Sequence, residues 1–259
     1  HPVLITQYFK RRSLADVLSL QEKEKLHQNG YNDWNNTKKM ICLIGIALGM
    51  NYIHKRNFIH RNLKCSNIFL DDNLYPKIGD FSNSTSSDTK INQTNMSSNP
   101  SIIAPELIKN LPYSFPIDVF SFALICYHVL SNHEPKIPSL NEENLHIKIA
   151  KGKRPGLSYL NPKYHNFIKD MWNDDPDKRP NFDQIVSSLI NDRENCWLDE
   201  VNEIEVENYL HQFGITLKKQ NPSILVTKII SELYTPINAT IPQRSLTEIL
   251  SDETIPTSF

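Results

Sequence analysis

The sequence has no long uncharged apolar run, few cysteines and no excess of either charge. No stretch approaches the 18 apolar residues typical of a membrane-spanning helix, so we expect no membrane span. The 28 Lys and Arg residues nearly balance the 29 Asp and Glu residues, so we expect no nucleic-acid partner. The four cysteines lack metal-ligand or redox spacing, which favours a reducing, cytoplasmic setting.

What is present is enough apolar material for a packed core. Of the 259 residues, 39% are hydrophobic and 22% are charged, which is typical of a globular chain. Hydrophobic periodicity and turn residues predict the following elements. They are a strand over Leu4–Phe9, a helix capped by Ser13 and Asp16, a long helix through Met40 and Tyr52, strands at Ile68–Leu70 and from Pro76, a central buried helix over Asp118–Leu130, amphipathic segments near 141–150 and 164–172, a helix capped by Asn181 and Gln184, and two helices beyond Cys196.

Residues 82–101 are nearly all polar, so they predict a mobile loop that cannot bury enough apolar surface to order itself. The hydroxyl groups crowded there permit a second interpretation, in which an upstream kinase phosphorylates the loop. The alternative is that these polar residues only form a solvated loop and are not phosphorylated.

One motif points to specific chemistry. Residues 60–67 read His-Arg-Asn-Leu-Lys-Cys-Ser-Asn, which matches the template His-Arg-Asp-Leu followed by Asn four residues after the Leu, except at Asn62. Asp80-Phe81-Ser82 follows 18 residues after Asn62, and Ala104-Pro105-Glu106 comes later. In this order the three motifs resemble the catalytic loop, the Asp-Phe-Gly triplet and the Ala-Pro-Glu triplet of eukaryotic protein kinases.

Later landmarks extend the resemblance over residues 1–192. Residues 118–122 (Asp-Val-Phe-Ser-Phe) and 172–180 (from Trp to Pro) are most similar to the tyrosine-kinase-like group of Ser/Thr kinases. The implied fold is a mainly α lobe of an α+β family, the kinase C-terminal lobe with short β pairs. We expect residues 1–192 to form a partial kinase domain, comprising the hinge strand and this lobe, and residues 193–259 to form a helical extension.

The resemblance implies a role for each matching site residue. Asn62 stands at the position of the catalytic aspartate, and Lys64 would contact the transferred phosphoryl group. Asn67 and Asp80 would hold Mg²⁺ against ATP, and Phe69 would form the floor beneath adenine. The alternative for Asn67 is that it ties its own loop, and the alternative for Asp80 is that it caps a turn.

The resemblance also implies structural roles. Glu106 and Arg179 would form a buried ion pair, and Asp118 would hold the backbone of His60 and Arg61. His60 would also pack with Phe81 in a hydrophobic stack.

Three departures argue against normal catalysis. Asn62 has no titratable proton and no negative charge to orient and deprotonate a hydroxyl. Ser82 replaces a glycine that adopts positive φ, and Asn99 and Ile102 replace residues of the substrate platform. No Gly-rich loop or strand lysine appears, because residues 1–9 already resemble the strand entering the hinge. We therefore expect most of the N-terminal lobe to lie outside this chain. We also expect the ATP affinity of this chain to be poor.

The sequence therefore predicts a pseudokinase or impaired kinase that works by binding other proteins in signalling. Two alternatives stay open: Asn62 as a harmless variant, and an active Ser/Thr kinase represented without its N-terminal lobe. Whether the chain is an enzyme is left undecided.

Overall fold

The computed structural model describes residues 9–10, 12–87, 103–109, 111–112, 114–138 and 141–217. In these ranges the helices are α1 (Leu14–Glu22), α2 (Asn36–His54), α3 (Pro105–Ile108), α4 (Pro116–Ser131), α5 (Glu142–Ala150), α6 (His165–Met171), α7 (Phe182–Asn191), α8 (Arg193–Cys196) and α9 (Glu203–His211). The strands are β1 (Phe58–Ile59), β2 (Ile68–Leu70), β3 (Pro76–Ile78) and β4 (Thr85–Ser86). The predicted strand Leu4–Phe9 and the predicted helix after residue 223 lie outside the described residues, apart from Phe9.

The helix boundaries follow from side chains that satisfy free backbone N–H groups. The Ser13 hydroxyl accepts from the amide of Asp16, whose carboxylate in turn accepts from the amide of Ser13. Asn181 and Gln184 make the same reciprocal arrangement at the start of α7. Both predicted caps are confirmed.

Two buried helices organise the core. In α2 and α4 nearly every apolar side chain is inaccessible to solvent, and α7 packs along α2. α4 matches the predicted central buried helix, whereas α2, which was predicted to bury one face, is buried on most of its faces. Among the described helices none is long and apolar enough to span a membrane.

The strands form two separate antiparallel pairs. β2 pairs with β3 in the register Ile68 with Ile78, across a turn that Asp71 stabilises by accepting from the amides of Asn73 and Tyr75. This hairpin was predicted. β1 pairs with β4, with Phe58 opposite Ser86.

The pairing of β4 corrects the prediction of a mobile loop from Ser82 onward. Residues 81–83 form a 3₁₀ turn, Thr85–Ser86 is a strand, and the amide of Ser87 donates to the carbonyl of Asn57 at 2.7 Å. Composition alone missed this, because the stabilising partner is the backbone of β1 rather than an apolar core. The rest of the predicted loop, from Asp88, lies outside the described residues up to Ser101, as do Asn99 and Ile102.

Residues 193–217 pack on the same core. Trp197, Val206 and Leu210 are buried, and the amide of Asn202 donates to the hydroxyl of Thr37 on α2 at 2.9 Å. The architecture is the mainly α, kinase-like lobe with short β pairs that the sequence predicted. The boundary at residue 192 stays a prediction.

Candidate functional site

The loop after β1 is held in place by the buried carboxylate of Asp118. Asp118, at the start of α4, accepts from the amide of His60 at 2.8 Å and from the amide of Arg61 at 2.9 Å. His54 contacts the same carboxylate at 2.9 Å. The predicted role of Asp118 is confirmed, and it fixes the loop although Arg61 has a φ of 66°.

His60 joins this loop to the segment that follows β3. Its ring lies 4.9 Å from that of Phe81, as predicted, and its Nε2 lies 3.1 Å from the carbonyl oxygen of Gly79. Burial lowers the pKa of His60, which favours a neutral ring that donates to this carbonyl. The loop and the Asp80 segment are therefore positioned as one unit.

Asn62, Asn67 and Asp80 meet at this junction. The Asn62 side-chain amide donates to Oδ2 of Asp80 at 2.7 Å, and the Asn67 amide donates to the same oxygen at 3.2 Å. Asn67 Nδ2 also donates to the carbonyl of Asn62 at 2.7 Å. Asn67 thus ties its own loop, which was the alternative interpretation, and still lies beside the carboxylate.

Ser82 completes the surroundings of Asp80, and sequence reasoning missed this contact. Its hydroxyl donates to Oδ1 of Asp80 at 2.6 Å, so both oxygens of the carboxylate accept a hydrogen bond. Asp80 has a φ of 57°, in the left-handed region. The hydrogen bond from Ser82 lowers the pKa of Asp80, and the charge of Lys64 contributes in the same direction. The Asp-x-Ser spacing is the signal that could have predicted the bond, because such short-range polar contacts are common in turns.

Lys64 and Phe69 flank this cluster. Lys64 is partly buried and lines a cavity of about 280 Å³ together with Leu63 and Glu134. The ring of Phe69 is stacked on Phe9 at 5.6 Å, with 14° between the planes. Phe9 is thus a neighbour of the predicted adenine floor that sequence reasoning did not assign to the site.

The oxygen donors fit a hard cation. Nδ2 of Asn67 makes the hydrogen bonds, so its amide oxygen remains a candidate ligand beside the Asp80 carboxylate. Magnesium is commonly bound by one or two protein oxygens, with water and phosphates completing the shell. Across the described ranges no group of three or more His, Cys, Asp or Glu residues could form a fuller metal cage. Asn67 and Asp80 are the residues that would hold the ion.

A second cluster supports the lobe at a distance from these residues. Nη1 of Arg179 lies 2.7 Å from Oε1 of Glu106, and Nη2 lies 2.8 Å from Oε2, with both side chains buried. The predicted ion pair is confirmed. It anchors α3, and with it the Ala-Pro-Glu segment, to the loop before α7.

The comparisons agree with these motifs. Residues 1–189 match a family model described as protein tyrosine and serine/threonine kinase. A probable serine/threonine-protein kinase of Dictyostelium discoideum is 32% identical over 191 residues, which cover 72% of this chain and 17% of that protein. The RGS domain-containing serine/threonine-protein kinase A of the same organism is 36% identical over 190 residues, covering 71% of this chain and 16% of that protein.

A plant protein gives the same result. Serine/threonine-protein kinase STY17 of Arabidopsis thaliana is 29% identical over 191 residues, covering 72% of this chain and 31% of that protein. The chain therefore spans well under half the length of these relatives. Its match to the family model covers more than half of its own length, and the chain belongs to the protein tyrosine and serine/threonine kinase family.

Proposed function

We propose that this chain is part of a pseudokinase or strongly impaired Ser/Thr kinase of the tyrosine-kinase-like group, which acts in signalling by binding other proteins. The observation that carries the proposal is the hydrogen bond from the Asn62 amide to Asp80, 2.7 Å long. The Asn62 side chain therefore presents a hydrogen-bond donor at the position where abstraction of the substrate's hydroxyl proton requires an acceptor. We also propose that the protein is cytoplasmic.

The chemistry of the Asn62 position explains the impairment. A kinase orients the substrate hydroxyl with an anionic oxygen that also accepts its proton. The Asn62 amide is neutral and is turned toward Asp80, so it offers neither the charge nor the basicity. Loss of a general base typically reduces rate by about 10²- to 10⁴-fold.

The remaining site residues are those that would hold magnesium–ATP, although we expect the affinity of this chain for it to be poor. Asn67 and Asp80 would hold Mg²⁺, Lys64 would face the transferred phosphoryl group, and Phe69 would lie under the adenine. The family generally uses magnesium–ATP. When bound, it supplies the phosphoryl group, and the Mg²⁺ neutralises the negative charge of the phosphates. Phe9 stacks on Phe69, the predicted adenine floor.

The experiment is a phosphoryl-transfer assay on the complete protein with labelled ATP, wild type beside Asn62→Asp. We expect little or no transfer from the wild type and a gain of at least about 100-fold on restoring the carboxylate. A Lys64→Ala substitution in the Asn62→Asp background controls for contaminating kinases, because it should remove the gained activity. Robust wild-type transfer that Lys64→Ala abolishes would contradict the proposal.

An active Ser/Thr kinase is the second candidate, and the intact scaffold favours it. Asp118 holds the loop, and Glu106 pairs with Arg179. Such a framework can leave residual activity after loss of a single catalytic group, because positioning and electrostatics contribute independently. The same assay distinguishes the two candidates.

The partners in this proposal are signalling proteins, including an upstream kinase that modifies residues 82–101. Phosphosite mapping on protein from its native cell tests the second point. Phosphate on the hydroxyl groups of that range is the expected result, and its absence under signalling conditions would remove this partner from the proposal.

A further inference from the structure

An open apolar groove runs between α2, β3 and the segment that follows α9. Its volume is about 580 Å³, and Leu48 and Tyr52 of α2 form one side. Ile78 and Phe81, close in sequence to Asp80, and Phe213 and Ile215, which follow α9, also line the groove. Tyr52, Phe81 and Phe213 are 41%, 45% and 37% exposed. Large side chains clustered in this way mark an interaction surface, whereas scattered ones do not.

One wall of this groove lies outside the family match. The family model ends at residue 189, whereas Tyr209, Phe213 and Ile215 belong to the segment beyond it. Tyr209 is buried and anchors this wall through edge contacts with Tyr75 at 4.7 Å and with Phe213 at 5.2 Å. The groove is therefore a feature of this chain's own extension.

The wall is held firmly on α2. Lys38 of α2 pairs with Glu205 of α9 at 2.6 Å, and the amide of Asn202 is bound by the hydroxyl of Thr37. Gly45 on α2 leaves room for α9, because a Cβ there would clash with the Tyr209 hydroxyl oxygen. A wall fixed in this way presents a preformed surface, which lowers the entropic cost of binding.

The occupant that fits is the chain's own continuation. The described chain ends at Leu217, two residues beyond Ile215, and six mainly polar residues, 218–223, follow. Six residues can span up to about 20 Å when extended, so the sequence beyond them can reach the whole groove. That sequence reads Ile-Leu-Val-Thr-Lys-Ile-Ile-Ser-Glu-Leu over 224–233.

The pattern of this segment matches an apolar groove. Five of its six apolar residues recur at the spacing of one helix face, and its polar residues fall on the other. These five are Leu225, Val226, Ile229, Ile230 and Leu233, whereas Ile224 falls on the polar face. A tether this short gives an effective concentration in the millimolar range, so even a modest apolar contact would be populated.

We infer that residues 224–233 bind in cis in the groove between α2 and the segment 209–215. Their apolar side chains cover Tyr52 and Phe213 and contact Phe81, the residue next to Asp80. The segment thereby connects the extension to the candidate nucleotide site. This inference does not depend on whether Asn62 abolishes catalysis.

The test compares two double variants of the complete chain by hydrogen–deuterium exchange. Ile229→Asp/Ile230→Asp places two charges on the apolar face, whereas Thr227→Asp/Ser231→Asp places the same charges on the polar face. We expect exchange over residues 207–217 to be on the order of tenfold faster in the first variant and unchanged in the second. Circular dichroism confirms that both variants are folded.

A second arm identifies the binding site. A labelled peptide of residues 218–236 should bind the Ile229→Asp/Ile230→Asp chain, whose groove is vacated, more tightly than the wild type. Adding Phe213→Asp to that chain should abolish binding. Equal exchange in both variants, or a peptide that binds neither chain, overturns the inference. A concentration-dependent dimer that the apolar-face variant abolishes also overturns it, because the occupant is then a second copy.

Discussion

At the scale of single residues, Asp80 shows what the replacement at position 62 changes. The carboxylate accepts amide donors from Asn62 and Asn67 on one oxygen and the Ser82 hydroxyl on the other. An aspartate at position 62 would instead place a second negative charge at the end of the 2.7 Å contact. The neutral donors of Asn62, Asn67 and Ser82 therefore stabilise the Asp80 carboxylate. With a carboxylate at position 62 as well, a cation would be needed to hold the two groups this close.

We predict that Asn62→Asp lowers the unfolding free energy by at least about 1 kcal/mol in the absence of divalent ions, because a negative charge at the buried position 62 then meets the exposed Asp80 carboxylate. Added Mg²⁺ should recover the loss. Thermal unfolding in EDTA and in Mg²⁺ measures both effects. Asn62→Ala, which removes the donor without adding charge, is the control and should show no such recovery. An equal Mg²⁺ response from the two variants would count against the like-charge explanation.

Ser82→Ala should raise the pKa of Asp80 toward its ordinary value, because the largest cause of the lowered pKa is the Ser82 hydrogen bond. A carboxyl whose pKa is lowered on folding contributes stability above its unfolded pKa and loses it as pH falls through the folded pKa. The variant should therefore lose less stability on acidification than the wild type. Carboxyl NMR titration of Asp80 measures the shift, and identical titration curves would show that the hydroxyl has no such effect.

The sequence predicted these residues more readily than the contacts between them. Asn62, Asn67 and Asp80 were identified by motif order, but the bond from Asn62 to Asp80 joins residues 18 positions apart and depends on the left-handed backbone at Asp80. Ser82 was interpreted only as a lost glycine. No periodicity encodes such contacts, since they depend on how two loops are placed by Asp118 and His60.

At the scale of elements, the long apolar helices were predictable and the short polar strand was not. α2 and α4 carry continuous apolar faces, and capping residues gave the starts of α1 and α7. β4 consists of Thr85 and Ser86, whose polar side chains resemble those of a loop. A strand of two residues forms only because β1 is in place to pair with it. The local sequence of β4 does not encode that partner.

Lys39 on α2 gives a prediction at this scale, because it connects α2 to the end of α4. Its amine is buried and donates to the side-chain oxygen of Asn132, the residue that caps α4. Burial lowers the pKa of Lys39 from 10.5 to about 8. Since the unfolded chain holds this proton more tightly, the contribution of Lys39 to stability rises as pH increases from 8 to about 10.5.

Replacing Lys39 by Met should stabilise the protein by about 1–3 kcal/mol at pH 7, because the desolvated charge is removed. Asn132 keeps a donor in Gln21, 2.7 Å away. The gain should shrink as pH increases from 8 toward 10. Denaturant unfolding at several pH values measures it, with the exposed Lys23→Met as a control for loss of charge. A constant difference across this range would show that protonation of Lys39 does not cause it.

At the scale of the whole molecule, a small number of long-range polar contacts joins the elements that the motifs mark. Arg179 and Glu106 are 73 residues apart, and Arg179 also donates to the carbonyls of Asn173 and Pro116. Asp118 likewise connects the start of α4 to the catalytic-type loop. The kinase framework is therefore maintained by buried charges, independently of the substitution at Asn62.

Arg179→Met should destabilise the protein by about 3–5 kcal/mol, because it leaves the Glu106 carboxylate buried without its partner. Glu106→Gln in the same chain should recover part of the loss, since the neutral amide is less costly to bury than the unpaired charge. Chemical denaturation of the single and double variants measures the coupling. If the two losses simply add, the pair is not coupled. In the coupled case, the double variant should fall between the wild type and Arg179→Met, because the carbonyls of Asn173 and Pro116 still lack the donor that Arg179 supplied.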